Sequence, residues 1–165
     1  MKFYSIKYYL VTCVIFSICF AEESTVKIGD EAPPISLFKL ESNKYYRSKE
    51  LIGQKNLVVS FFATWCVPCA KEIPELIKMS KEFDDDFSFL LVDVNEKRDL
   101  VKKHVEEKNI SLQVVLDKYG KVFESFGGDT LPLLVVINKK GNITYYHTGY
   151  QDGDEDKLKE HLNTL

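Results

Sequence analysis

The stretch L-V-V-S-F-F-A-T-W-C-V-P-C-A-K-E-I-P, Leu57 to Pro74, decides the fold. Leu57 to Phe62 is a short, nearly continuous apolar run, the pattern of a strand buried on both faces. Two cysteines, Cys66 and Cys69, follow within a few residues. Cys66 to Phe83 then reads as a helix, with Ile73, Leu76, Ile77 and Phe83 approximating one apolar face. Pro74 lies inside that pattern and is expected to kink it. A cysteine pair that follows a buried strand and opens a helix points to redox chemistry rather than zinc. A structural zinc site needs four ligands, usually from two such pairs. There is no second pair, and His104, His147 and His161 are scattered without ligand spacing. No metal and no cofactor are expected.

Working outward, Val26 to Leu40 is extended in character, because Pro33 and Pro34 exclude a helix. Tyr45 and Tyr46 are placed to pair back with it as a hairpin. Asp84 to Asp86 ends the helix in a solvated turn, and Phe87 to Val94 is a second buried strand. Glu96 to Lys108 reads as a charged surface helix with Leu100, Val101 and Val105 inward. Leu112 to Leu116 is a short strand, and Tyr119 to Phe126 a short helix turning Val122, Phe123 and Phe126 inward. Leu131 to Ile137 and Ile143 to His147 are strands joined by N-K-K-G-N, with Gly141 free to take positive φ. Asp154 to Leu165 is a final helix with Leu158, Leu162 and Leu165 on its apolar face. Alternating strands and helices imply a parallel sheet covered on both faces, and the terminal hairpin makes the sheet mixed. The fold class is α/β.

The whole chain has 165 residues and a formal charge of −3. It is long enough for one domain with a real core, and its charge gives no reason to expect a nucleic-acid partner. Its four cysteines suggest two structural disulfides until their positions are considered. Cys13 and Cys19 lie in a basic start followed by an uncharged, mostly apolar run from Tyr8 to Ala21. That run is short for a spanning helix of ~20 residues and fits a secretory signal peptide cut after Ala21. Residues 1–21 are thus expected to be removed, with an uncleaved anchor as the alternative, and residues 22–165 to form the domain. Removal takes Lys2 and Lys7 with it, so the charge becomes −5, and it leaves Cys66 and Cys69 alone. An exported chain meets an oxidising compartment, where a bridge across two residues constrains the unfolded chain little. A purely stabilising role for this pair is therefore rejected.

The physics favours Cys66 as the nucleophile. A sulfur at a helix N-terminus meets unpaired N–H groups and the positive end of the helix dipole, which stabilise the attacking thiolate. Cys69, one turn in and more buried, is placed to attack a mixed disulfide formed at Cys66. Pro68 withholds one N–H from the thiolate, which points toward a reductant. Glu72 has two readings on position alone. It is either a partly buried carboxylate that takes the Cys69 proton and raises the thiol pKa values, or an ordinary first-turn acid favoured by the dipole.

W-C-V-P-C-A-K-E-I-P, Trp65 to Pro74, fits W-C-x-P-C-x-x-E-x-P throughout. In this the sequence resembles the thioredoxin-like thiol–disulfide oxidoreductases of the TlpA/ResA type, exported relatives of thioredoxin within the AhpC/TSA-like superfamily. Gly29 to Leu37, Val114 to Gly120 and Thr130 to Pro132 match weaker motifs of that family in the right order, over roughly residues 26 to 163. The resemblance implies a thioredoxin fold with an N-terminal β-hairpin extension and an inserted helix. It implies that Pro132 is cis and packs beside the cysteines. It also implies that Leu131 offers its backbone to an extended substrate segment, beside Trp65, Val67 and Pro68. It assigns the proton role to Glu72. Ser60 stands where cytosolic thioredoxins carry a buried aspartate, which fits that duty having moved. Leu133 and Leu134 replace the Thr-rich stretch common after the cis-proline, making the rim more apolar. The partners implied are disulfide-containing exported proteins and a membrane or extracytoplasmic thiol donor, acting on a monomer.

The leading reading is an exported reductant of protein disulfides, with apocytochrome c as the best single substrate. A thiol oxidase is its nearest rival. A peroxiredoxin needs P-x-x-x-T-x-x-C, and Val59 and Ala63 occupy its Pro and Thr positions. A copper-delivery module would need His147 as third ligand; the plainer reading of His147 is a strand residue with its ring at the surface.

Overall fold

In the computed structural model, which describes residues 26–165, the apolar runs become one seven-stranded sheet. The signal segment expected at residues 1–21 lies outside the described residues. Strands β1 (Ser36–Lys39) and β2 (Tyr45–Arg47) form the expected antiparallel hairpin, and a 3-10 turn at Ser48–Glu50 follows. The alternating part runs β3 (Asn56–Phe62), α1 (Val67–Glu82), β4 (Phe87–Val94), α2 (Arg98–Glu107) and β5 (Gln113–Asp117). After α3 (Lys121–Ser125) come the hairpin strands β6 (Leu133–Ile137) and β7 (Ile143–Thr148), then α4 (Asp154–Leu162). The order across the sheet is β2-β1-β5-β4-β3-β6-β7; β3, β4 and β5 are parallel, and the remaining pairs are antiparallel. This mixed α/β sheet is the thioredoxin fold carrying an N-terminal hairpin and an inserted helix, α2.

Composition decides which strand is central. All seven residues of β3 are buried, between β4 and β6, whereas β7 at the sheet edge is mostly half-buried and carries Tyr145, Tyr146 and His147. The two-residue strand period divides β3 between two cores. Val58 and Phe62 pack with Ile73, Leu76 and Met79 of α1, Val101 of α2, and Leu158 and Leu162 of α4. Leu57, Val59 and Phe61 face Ile35, Tyr46 and Phe126 on the other side. The Phe61 ring sits 5.3 Å from that of Phe126 and 5.5 Å from that of Phe123. Ser60 shares the parity of Val58 and Phe62, so it projects toward α1.

Two apolar residues are not where periodicity puts them. Leu100 is exposed: α2 starts at Arg98, and Val101 and Val105 alone define its inward stripe. Leu165 is also exposed, because α4 ends at Leu162 and its apolar face stops there. Pro74 lies within α1 without ending it. Gly141 turns the β6–β7 hairpin with φ 90°, the positive φ it was expected to supply. No helix among the described residues is long and apolar enough to cross a membrane.

Candidate active site

β3 ends at Phe62 and α1 begins at Val67, so the intervening loop delivers the cysteines to the C-terminal edge of the sheet. Cys66 is the N-cap of α1 and its Sγ accepts from the N–H of Cys69 at 3.2 Å. Pro68 falls in the first helical positions, where its missing N–H costs no helical bond. The two sulfurs are joined as a disulfide with Cα atoms 5.3 Å apart. Cys66 is 4% exposed and Cys69 1%. Their neighbours Trp65 and Val67 are 72% and 73% exposed. The sulfurs therefore lie recessed behind an apolar collar.

Pro132 follows a cis Leu131–Pro132 bond and is buried. In the antiparallel register of β3 and β6, Phe61 lies opposite Leu133. Carried further, that register sets Pro132 level with Phe62 and Leu131 level with Ala63, three residues before Cys66. Leu131 is half-buried and packs on both cores.

Glu72 is 3% exposed, buried outright rather than partly buried as expected. The side chain of Ser60 donates to its Oε2 at 2.6 Å. Burial pushes the Glu72 carboxyl up to about 7; the Ser60 bond pulls the other way, and the nearby Asp154 charge adds to the rise. A carboxyl poised near neutrality, one turn beyond Cys69, can accept or return a proton there. In the sequence Ser60 stands out only as a missing aspartate, and no motif pairs it with Glu72. The strand parity of Ser60 and the helical position of Glu72 are the signals that predict the contact.

Three further groups carry no sequence motif. Glu96, just past β4, clamps the loop before the cysteines: Thr64 donates its N–H to Oε2 at 2.6 Å and its hydroxyl to Oε1 at 2.7 Å. Asp93 lies fully buried nearby, and neither carboxyl oxygen has a hydrogen-bond partner. Burial first, and then the Glu96 carboxylate, push Asp93 up to about 8. His147 does sit in β7, but its ring is not simply a surface group. Its Nε2 is 3.0 Å from Oδ2 of Asp154, the first residue of α4. Among the described residues no group of three or more His, Cys, Asp or Glu side chains is arranged to hold a metal ion.

Comparison with known proteins agrees with this geometry. A family model described as Redoxin matches residues 27–162. The thiol–disulfide oxidoreductase ResA of Halalkalibacterium halodurans is 31% identical over 81% of this chain and 76% of its own length. The ResA of Bacillus cereus is 29% identical over 88% and 83%. A crystal structure of a thiol:disulfide interchange protein of the thioredoxin family from Chlorobium tepidum superposes with a TM-score of 0.70 at 28% identity, covering 84% of this chain and 97% of that one. The recessed cysteine pair on a thioredoxin sheet and the match along nearly all of the described residues lead to one assignment: this chain belongs to the Redoxin family and is a thioredoxin-like thiol–disulfide oxidoreductase of the TlpA/ResA type.

Proposed function

We propose that the chain is exported and works as a reductant of disulfides in exported proteins, the haem-site cysteines of an apocytochrome c being the substrate. The observation that carries the reductant reading is the Glu72 carboxyl, buried one turn beyond Cys69. A carboxylate there opposes the thiolate that the helix N-terminus favours, and Pro68 withholds one N–H. A dithiol whose ionised form gains little stabilisation gives up its electrons more readily. Export is supported by the basic start, apolar middle and small residue at Ala21.

In this reading the Cys66 thiolate attacks the substrate disulfide and displaces its first sulfur. Cys69 then yields its proton to Glu72 and attacks the Cys66 sulfur. The mixed disulfide breaks, the second substrate sulfur leaves as a thiolate, and Cys66 and Cys69 remain bonded. Two electrons have passed to the substrate, and a membrane or extracytoplasmic thiol donor restores the pair. Trp65, Val67 and Pro68 receive the substrate, and the backbone of Leu131 beside Pro132 pairs with it as an added strand. Cys69→Ala, expressed in the native host, tests the scheme. It is expected to accumulate mixed disulfides between Cys66 and exported proteins with paired cysteines, apocytochrome c among them. A variant that traps nothing, or a parent as oxidising as a disulfide-forming oxidase, would overturn it.

A further inference from the structure

Glu72 faces a second set of charges that the cysteine chemistry does not use. It lines a cavity of about 10 Å³, the room of one water, together with Leu134, Tyr145, His147 and Asp154. The cavity lies between α1, β6, β7 and α4, and its one imidazole is His147. Asp154 is anchored from three directions. Its Oδ2 accepts from the N–H of Gln151 at 2.8 Å and meets Nε2 of His147 at 3.0 Å, while its Oδ1 accepts from Lys157 at 2.8 Å.

We propose that the His147–Asp154 pair is the solvent-side part of the active site, setting the charge that Glu72 faces and so tying the proton acceptor of the cysteine pair to external pH. The inference rests on the reading of Glu72 as that acceptor. Lys157 and the other two contacts hold the Asp154 carboxyl down at about 2, so it stays a fixed negative charge. That charge disfavours ionisation of Glu72 across the cavity. Histidine is the side chain whose charge changes between about pH 5 and pH 8. A third of the His147 side chain is open to solvent. When the ring is cationic it offsets Asp154, and Glu72 keeps more of its ionised form. When the ring is neutral, Asp154 acts at full strength.

The other titratable groups around the cavity are engaged elsewhere or apolar in effect. Glu75 of α1 pairs with Lys78 at 2.7 Å, and the Tyr150 hydroxyl donates to Glu155 at 2.7 Å. The Tyr145 hydroxyl is held in its neutral form, by burial first and then by Asp154. Ser60 reaches Glu72 from β3 and carries no charge.

The test is the titration of Glu72 itself, followed by its carboxyl infrared band in the full domain, beside the pH–rate profile of disulfide reduction. Asp154→Asn should lower the Glu72 midpoint and His147→Gln should raise it. Each should move by about half a pH unit, about a threefold change in the ratio of ionised to neutral carboxyl. Opposite signs matter, because loosened packing that admits water would lower the midpoint in both variants. Asp154 is also the buried first residue of α4, so Lys157→Met supplies a variant at an exposed position: freeing the Asp154 charge should raise the midpoint. Shifts of the same sign in Asp154→Asn and His147→Gln, or none, overturn the inference and leave the Glu72 reading standing. Midpoints that move as stated while the rate profile stays fixed would keep the coupling and remove Glu72 as the acceptor.

Discussion

Ser60→Ala removes one hydroxyl from a fully buried position and leaves the strand around it unchanged. That hydroxyl donates to Glu72 at 2.6 Å, a length typical of a bond to an ionised oxygen. Hydrogen bonds to charged groups contribute about 1.5–3 kcal/mol. The neutral carboxyl keeps part of the bond, so the lower end, about 1.5 kcal/mol, measures the preference for the ionised form. At about 1.4 kcal/mol per pH unit, its loss lifts Glu72 from about 7 to about 8. Near pH 7 the ionised fraction falls from about one half to about one tenth, and a step that needs the carboxylate slows about fivefold. Well above the new midpoint the two rates converge. The assay is single-turnover resolution of a mixed disulfide at Cys66 across pH, alongside the carboxyl infrared band of Glu72. A midpoint that stays in place or falls would refute the argument that Ser60 stabilises the charged form.

Glu72 also makes fold stability depend on pH. Its folded midpoint, about 7, lies above the ordinary value of 4.5, so between those values the folded chain binds more protons than the unfolded one. Stability therefore falls as pH rises through that window, by about 3 kcal/mol in all. Glu72→Gln should flatten this slope in urea unfolding, and a variant slope equal to the parent's would count against it. Glu96→Ala strands the Thr64 N–H and hydroxyl at a part-buried site, at about 1–3 kcal/mol. It also removes the charge beside Asp93, which should then titrate below about 8; carboxyl NMR would read an unchanged Asp93 as failure. Gly128→Ala would place a Cβ 2.2 Å from the Phe123 ring. The ring must leave its packing against Phe61, so a loss of about 1–3 kcal/mol is expected, and an unchanged Tm would contradict the contact.

Much of this architecture is written locally. The apolar runs of β3 and β4, the N-K-K-G-N hairpin, and the cysteine pair opening a helix each depend on neighbours in sequence. The charges around Glu72 do not. Ser60 and Glu72 are twelve residues apart and meet because strand parity and helix packing happen to agree. His147 and Asp154 meet because Gly149 and Gly153, both at positive φ, fold the chain from β7 back into α4. Glu96 reaches Thr64 across the edge of the sheet, 32 residues away. Leu100 and Leu165 mislead for a related reason: periodicity assigns a face, but helix ends decide which residues that face reaches. Glu72 itself was legible in position but not in depth, since its burial depends on α4 closing over α1.

The collar of Trp65 and Val67 has a consequence for selectivity in time. A freely diffusing oxidant or small thiol finds the Cys66 sulfur almost wholly screened, with only 4% of the residue open to solvent. Reaction rate at a cysteine follows access as well as thiolate content. The recess thus slows exchange of the pair with small-molecule thiols and oxidants. A reacting sulfur must be one that can enter that recess. Exchange at the pair is then governed by the geometry of encounter as well as by the thiol–disulfide poise around it.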